Sequence, residues 1–128
     1  MKKRNGFTLV ELLAVIVILA IILVIAVPQI LDVVTTARIG SMESSVKMIA
    51  AAAEKEFALR EVTEEDKFTA GSSEACATFV TLSSTDYGDC TVTFDADGNA
   101  TVDLEGATGG KFDGYTCDGT ATEAECSK

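Results

Sequence analysis

The residues whose types and spacing could do chemistry are four cysteines, a scatter of aspartates and one glutamate inside an apolar run. Cys76, Cys90, Cys117 and Cys126 all lie in the second half of the 128-residue chain. An even count in a small domain beyond a membrane segment reads as two disulfides made in an oxidising compartment. Of the three connectivities, Cys76–Cys90 with Cys117–Cys126 is favoured, because both pairs close short local loops. A zinc site is the weaker reading, since the chain has no CxxC pair and no His. Asp95, Asp97 and Asn99 resemble the start of a calcium loop. The match fails further on: Gly98 comes two places early for an EF-hand, and Gly106 stands where the bidentate Glu belongs. A hairpin turn is the simpler account, and a looser calcium site among Asp95, Asp97, Asp113 and Asp118 stays open. With no His, no Trp and no nucleophile–base arrangement, neither an enzyme nor a cofactor is expected.

Glu11 has to be read with the element that carries it. Residues 7–27 are apolar apart from Thr8 and Glu11, and Leu12–Val27 is unbroken by any polar side chain. At about 1.5 Å per residue this stretch rises roughly 31 Å, enough to cross a bilayer core. Lys2, Lys3 and Arg4 precede it, which keeps the N-terminus cytoplasmic and sends the rest outward. A carboxylate within such a segment costs about 2.5–3.5 kcal/mol near its centre and is usually functional. The plainer alternative is a carboxylate reaching the headgroup layer from near the helix end. An ordinary secretory signal, with Val24-Ile25-Ala26 before a cut, is opposed by Glu11 and by the length of the run.

Pro28 ends the uniform run, and the helical pattern resumes beyond it, which predicts a kink or a local melt. Ile39, Met42, Val46, Ile49, Ala53 and Phe57 then recur at steps of three and four, one face of a helix. One long helix over 7–60 is expected. Its amphipathic face suits either a coiled-coil partner or, more simply, the chain's own sheet. A polar loop is expected over 61–75, then strands near Ala77–Leu82, Cys90–Asp95 and Thr101–Leu104, with a further edge strand within Lys111–Cys117. Asp95-Ala-Asp-Gly-Asn provides a hairpin turn. The fold class is therefore α+β: a long N-terminal helix packed on a small antiparallel sheet in a disulfide-stapled head. Formal net charge is −10, with fifteen acidic and three basic residues from Glu61 onward, so the head is a poor nucleic-acid binder.

Gly6-Phe7-Thr8-Leu9-Val10-Glu11-Leu12, preceded by Lys-Lys-Arg and followed by the apolar run, resembles the N-terminus of the type IV pilin and pseudopilin family. The resemblance covers residues 1–34 closely and 35–60 by pattern. It implies a leader, residues 1–6, cut between Gly6 and Phe7 by a prepilin peptidase, with N-methylation of the Phe7 amine. It implies a membrane and filament-core helix over 7–34, an amphipathic helix over 35–60 and a secreted head over 61–128. Glu11 matches the glutamate that compensates a neighbouring subunit's N-terminal amine, and Pro28 matches a point where the helix loosens in filaments. The implied partners are the membrane before assembly, the assembly platform and its ATPase, and further copies of the chain in a helical homopolymer. The expected place is the bacterial cytoplasmic membrane, then an extracellular pilus serving adhesion or motility. A type II secretion pseudopilin, a competence pseudopilin and a membrane-anchored binding module that never polymerises are the rivals.

Overall fold

The computed structural model describes residues 3–64 and 66–128; Met1 and Lys2, in the expected leader, and Glu65 lie outside them. Helix α1 spans Leu9–Thr63. Five strands follow: β1 (Ser73–Ala75), β2 (Tyr87–Phe94), β3 (Ala100–Gly106), β4 (Thr116–Gly119) and β5 (Ala124–Ser127). The chain divides into two compact units, Met1–Thr36 and Ala37–Lys128.

In the first unit α1 carries Ile and Val that disfavour helix in water. An apolar medium reverses that preference, because every backbone group must then bond within its own segment. No described residue of the unit covers the side chains: Ile16, Leu19, Ile22 and Leu23 are each more than half exposed. The helix is long and apolar enough to cross a membrane. It also runs through Pro28 without interruption, so the melt expected there is not present. Proline has no N–H, so the carbonyl one turn earlier, on Val24, loses its usual donor. Further on, the Thr35 and Thr36 hydroxyls donate to the carbonyls of Leu31 and Asp32.

In the second unit the five strands make one antiparallel sheet in the order β1-β2-β3-β4-β5. Met42, Val46, Ile49, Ala50 and Ala53 of α1 are fully buried, and so are Val92, Phe94, Ala100, Val102 and Leu104 of the sheet. The amphipathic face therefore goes to the chain's own sheet. Phe57, Phe68, Phe79 and Phe94 close the far end, with Phe94 centred 4.9 Å from Phe68 and 5.1 Å from Phe57. Such ring pairs add about 0.5–1.5 kcal/mol beyond the area they bury. Two polar ties cross from helix to sheet. The Ser45 hydroxyl lies 2.8 Å from that of Tyr87, and Ala100 N–H donates to Glu54 Oε1 at 3.2 Å. Ser45 gives its own proton to the Ser41 carbonyl, so Tyr87 is the donor of that pair.

The strands correct several expectations. Ala77–Leu82 is not a strand: Cys76–Thr78 forms a short 3-10 turn, and Phe79 turns inward to the aromatic cluster. The strand next to β2 is instead Ser73–Ala75, within the segment expected to be a loop. No strand spans Lys111–Cys117. Residues 107–114 turn back over β3, with Phe112 buried and its ring 5.2 Å from that of Tyr87. Gly106 permits this close approach, since a Cβ there would collide with the Phe112 carbonyl oxygen. The strand begins only at Thr116, and the sheet edge is β5. The β2–β3 hairpin turns at residues 95–99. Gly98 has φ +88, and a Cβ there would strike the Phe57 ring at 2.6 Å.

Cys76 is bonded to Cys90 and Cys117 to Cys126, closing loops of 14 and 9 residues. A bond closing a loop of that first size contributes about 3 kcal/mol, chiefly through the unfolded chain. Removing it as Cys76→Ala/Cys90→Ala is expected to lower head stability by about that amount in urea titrations. Asp95 organises its own turn. The Asn99 side-chain amide donates to it at 2.8 Å, and the Asn99 and Asp97 N–H groups each donate at 2.9 Å. The Asn99 amide first, then these backbone donors, holds the Asp95 carboxyl below its ordinary 3.8. A carboxyl depressed in the folded state contributes stability above its unfolded value, and that contribution is lost as pH falls through the lower folded value. An NMR titration of Asp95 should therefore give a midpoint below 3.8, and Asn99→Ala should move it upward.

Candidate functional site

The start of α1 is built by four residues in a row. Thr8 precedes the first helical residue, Leu9, and its carbonyl accepts the Leu12 N–H at 3.2 Å. The Glu11 N–H donates to Thr8 Oγ1 at 3.2 Å, and the Thr8 N–H donates to Glu11 Oε2 at 2.9 Å. This is a reciprocal capping box, with threonine at the N-cap and glutamate three residues on. It satisfies two of the donors that any helix leaves open at its start. Water could satisfy them in a soluble protein, but in hydrocarbon each open group costs several kcal/mol. The carboxylate also lies where the helix dipole favours negative charge.

This placement refines the reading of Glu11. Its carboxylate is fixed at the first turn, on the amide next to Phe7. Thr8 is the functional residue that the sequence reading passed over, and Thr-x-x-Glu ahead of an apolar run was its signal. Gly6 and Phe7 precede the helix in irregular backbone. Phe7 is 93% exposed, and nothing stands within 4 Å of a Cβ built on Gly6. Among the described residues, the Gly6–Phe7 peptide is thus open to its surroundings. If the chain began at Phe7, its amine would be one residue from the amide that Glu11 already engages.

The other candidates fall elsewhere. Pro28 lies within the uninterrupted helix, and the four cysteines serve the head. For Asp95, Asp97, Asp113 and Asp118, among the described residues no group of three or more acidic, Cys or His side chains is placed to hold a metal. Asp95 caps its own turn, Asp113 accepts the Gly109 N–H at 2.9 Å, and Asp118 stands opposite Glu125 on the outer face of the sheet. An open groove of about 590 Å³ beside β4 and β5 is lined by Lys47, Thr101, Asp118, Thr120, Glu123 and Glu125 among others. It holds no nucleophile with a base beside it.

The family model for the prokaryotic N-terminal methylation motif matches residues 1–27. No curated protein and no solved structure matches the chain. The motif belongs to a structural rather than a catalytic family, and its signal peptide implies processing by a prepilin peptidase and assembly with pilus machinery. The apolar helix that follows points to anchoring in the membrane before assembly. Thr8 and Glu11, the two halves of the capping box, both fall within the matched segment, and residues 1–27 carry a prokaryotic N-terminal methylation motif, as found in type IV pilins and pseudopilins.

Proposed function

We propose that the chain is the structural subunit of a type IV pilus, cut between Gly6 and Phe7, methylated on the Phe7 amine and drawn from the membrane into a helical homopolymer. The observation that carries this reading is the Thr8–Glu11 box directly after the Gly6–Phe7 peptide, inside the matched segment. The parts divide as leader 1–6, membrane and filament-core helix 7–34, amphipathic helix 35–60 and secreted head 61–128. Cutting removes Lys2, Lys3 and Arg4, the charges that hold the N-terminus at the cytoplasmic face. It also creates an amine, a counter-charge for Glu11 that travels with the span. In a lipid or helix-bundle interior an unpaired carboxylate and an unpaired ammonium each cost several kcal/mol. Pairing Glu11 of one copy with the amine of the next removes both costs at one axial offset, and so sets the register.

Moving the span from lipid to a bundle of like helices keeps its apolar side chains out of water at every stage. Extraction by an assembly platform and its cytoplasmic ATPase then works against packing differences rather than the full hydrophobic cost. Pro28 leaves one carbonyl without its helical donor, which makes that turn the natural place for the helix to loosen in a filament. The acidic heads on the outside govern adhesion and contacts between filaments through charge. The type II secretion reading would draw support from a calcium site in the head, and among the described residues no group of three or more acidic side chains is placed to hold one.

Mass spectrometry of the protein from its native cell should give a mature chain that begins at Phe7 and carries one added methyl group. A chain that still begins at Met1 would refute the reading. Glu11→Gln separates the two roles of the glutamate, because the amide keeps an acceptor for the Thr8 N–H and loses the charge. It should leave cleavage intact and lower the yield of sheared filaments at least about tenfold, the equivalent of about 1.4 kcal/mol.

A further inference from the structure

Strand β5 is held to the head along one side only, and its own charges oppose that pairing. Ala124 and Cys126 are half-buried, while Glu125 and Ser127 are exposed. The strand register places Glu125 directly opposite Asp118, and Asp118 directly opposite Asp103. Three exposed carboxylates thus form a row across β3, β4 and β5 on the outer face of the sheet. Side chains so placed have Cβ atoms about 4.5–5.5 Å apart, and like charges there destabilise the pairing. Glu123 lies beside the end of the row, and Glu105 is two residues along β3 from Asp103. The cations within reach do not neutralise it. Lys47 of α1 lines the groove next to Asp118, Glu123 and Glu125, and Lys128 stands over the Tyr115 ring at 5.1 Å. Among the described residues neither makes an ion pair with the row. On the opposite face, one residue from the Asp118–Glu125 pair, Cys117 is bonded to its cross-strand partner Cys126.

We infer that this bond is a lock: it keeps against the sheet a strand that the carboxylate row pushes away. Without the bond, β5 is detached at low ionic strength and docks when the charges are screened or removed. Detachment bares the N–H and C=O groups of β4, an open edge on which another strand can pair. The bond therefore decides whether β5 or β4 is the open edge of the sheet. This rests on the head alone and does not depend on the filament reading.

The test is hydrogen exchange on the full chain in detergent micelles, comparing wild type with Cys117→Ala/Cys126→Ala. At about 0.01 M salt, where charges act over about 30 Å, exchange in Ala124–Ser127 should rise at least about tenfold in the variant. At about 1 M salt, where they act over about 3 Å, protection should return. Adding Asp118→Asn and Glu125→Gln to the same variant should restore protection at low salt, and the shared background controls for the space left by the sulfurs. Amides of β2 and β3 should stay protected throughout. The inference is overturned if β5 stays protected without the bond at low salt, or if neither salt nor neutralisation restores it. Loss of protection across β2 and β3 as well would make the bond a staple of the whole head, and would overturn it too.

Discussion

Apolar side chains along more than four turns of helix cannot be left in water. Each large one exposed forgoes about 1.5–3 kcal/mol relative to burial, and residues 12–27 supply sixteen apolar positions with no partner inside their own unit. The rest of the molecule follows from that debt. The segment must be helical, because hydrocarbon offers no other partner for its backbone. Its first turn must be capped from within, which Thr8 and Glu11 do for each other. A carboxylate is a costly way to cap a helix in such a medium, and in the proposed function an amine at Phe7 offsets that cost.

The head answers a different problem, a shortage of apolar material. Its core rests on one face of α1, the inward side chains of β2 and β3, and a cluster of four phenylalanines. Domains with so little to bury lean on covalent staples. The two bonds here divide the work. One ties the 3-10 turn to the middle of β2, and the other ties the last strand to its neighbour. Polar chemistry in the head is spent on turns, with Asp95 and Asp113 each engaged by backbone donors within four residues.

Much of this was legible in the sequence where a period or a spacing carried it. The buried face of α1 could be read from steps of three and four, and β2 and β3 from alternation around an Asp-Gly turn. What could not be read had no local signal. Ser73–Ala75 is three residues long and becomes a strand only because β2 offers it an edge. Ala77–Leu82 has strand-forming residues, yet the Cys76–Cys90 bond and the inward pull on Phe79 take it elsewhere. Strand β5 is Ala-Glu-Cys-Ser, a sequence with little strand preference, paired through a cysteine. At the N-terminus the glutamate drew notice because it stood out from its surroundings. The threonine that completes the cap did not, since one hydroxyl among apolar neighbours is unremarked until its bond is seen.

The two polar ties between α1 and the sheet have a consequence for how the head is keyed to its helix. Greasy faces repeat every turn or so, and a sheet lying on such a face could slide by one turn, or roll by a fraction of one, at modest cost. Ser45 and Glu54 are nine residues apart, about 13.5 Å along the axis, and each meets one fixed atom of the sheet. Sliding breaks both bonds together, and rolling breaks at least one. Whatever orients this stretch of helix therefore also aims the surface of the head, as a key's bit is aimed by its shaft.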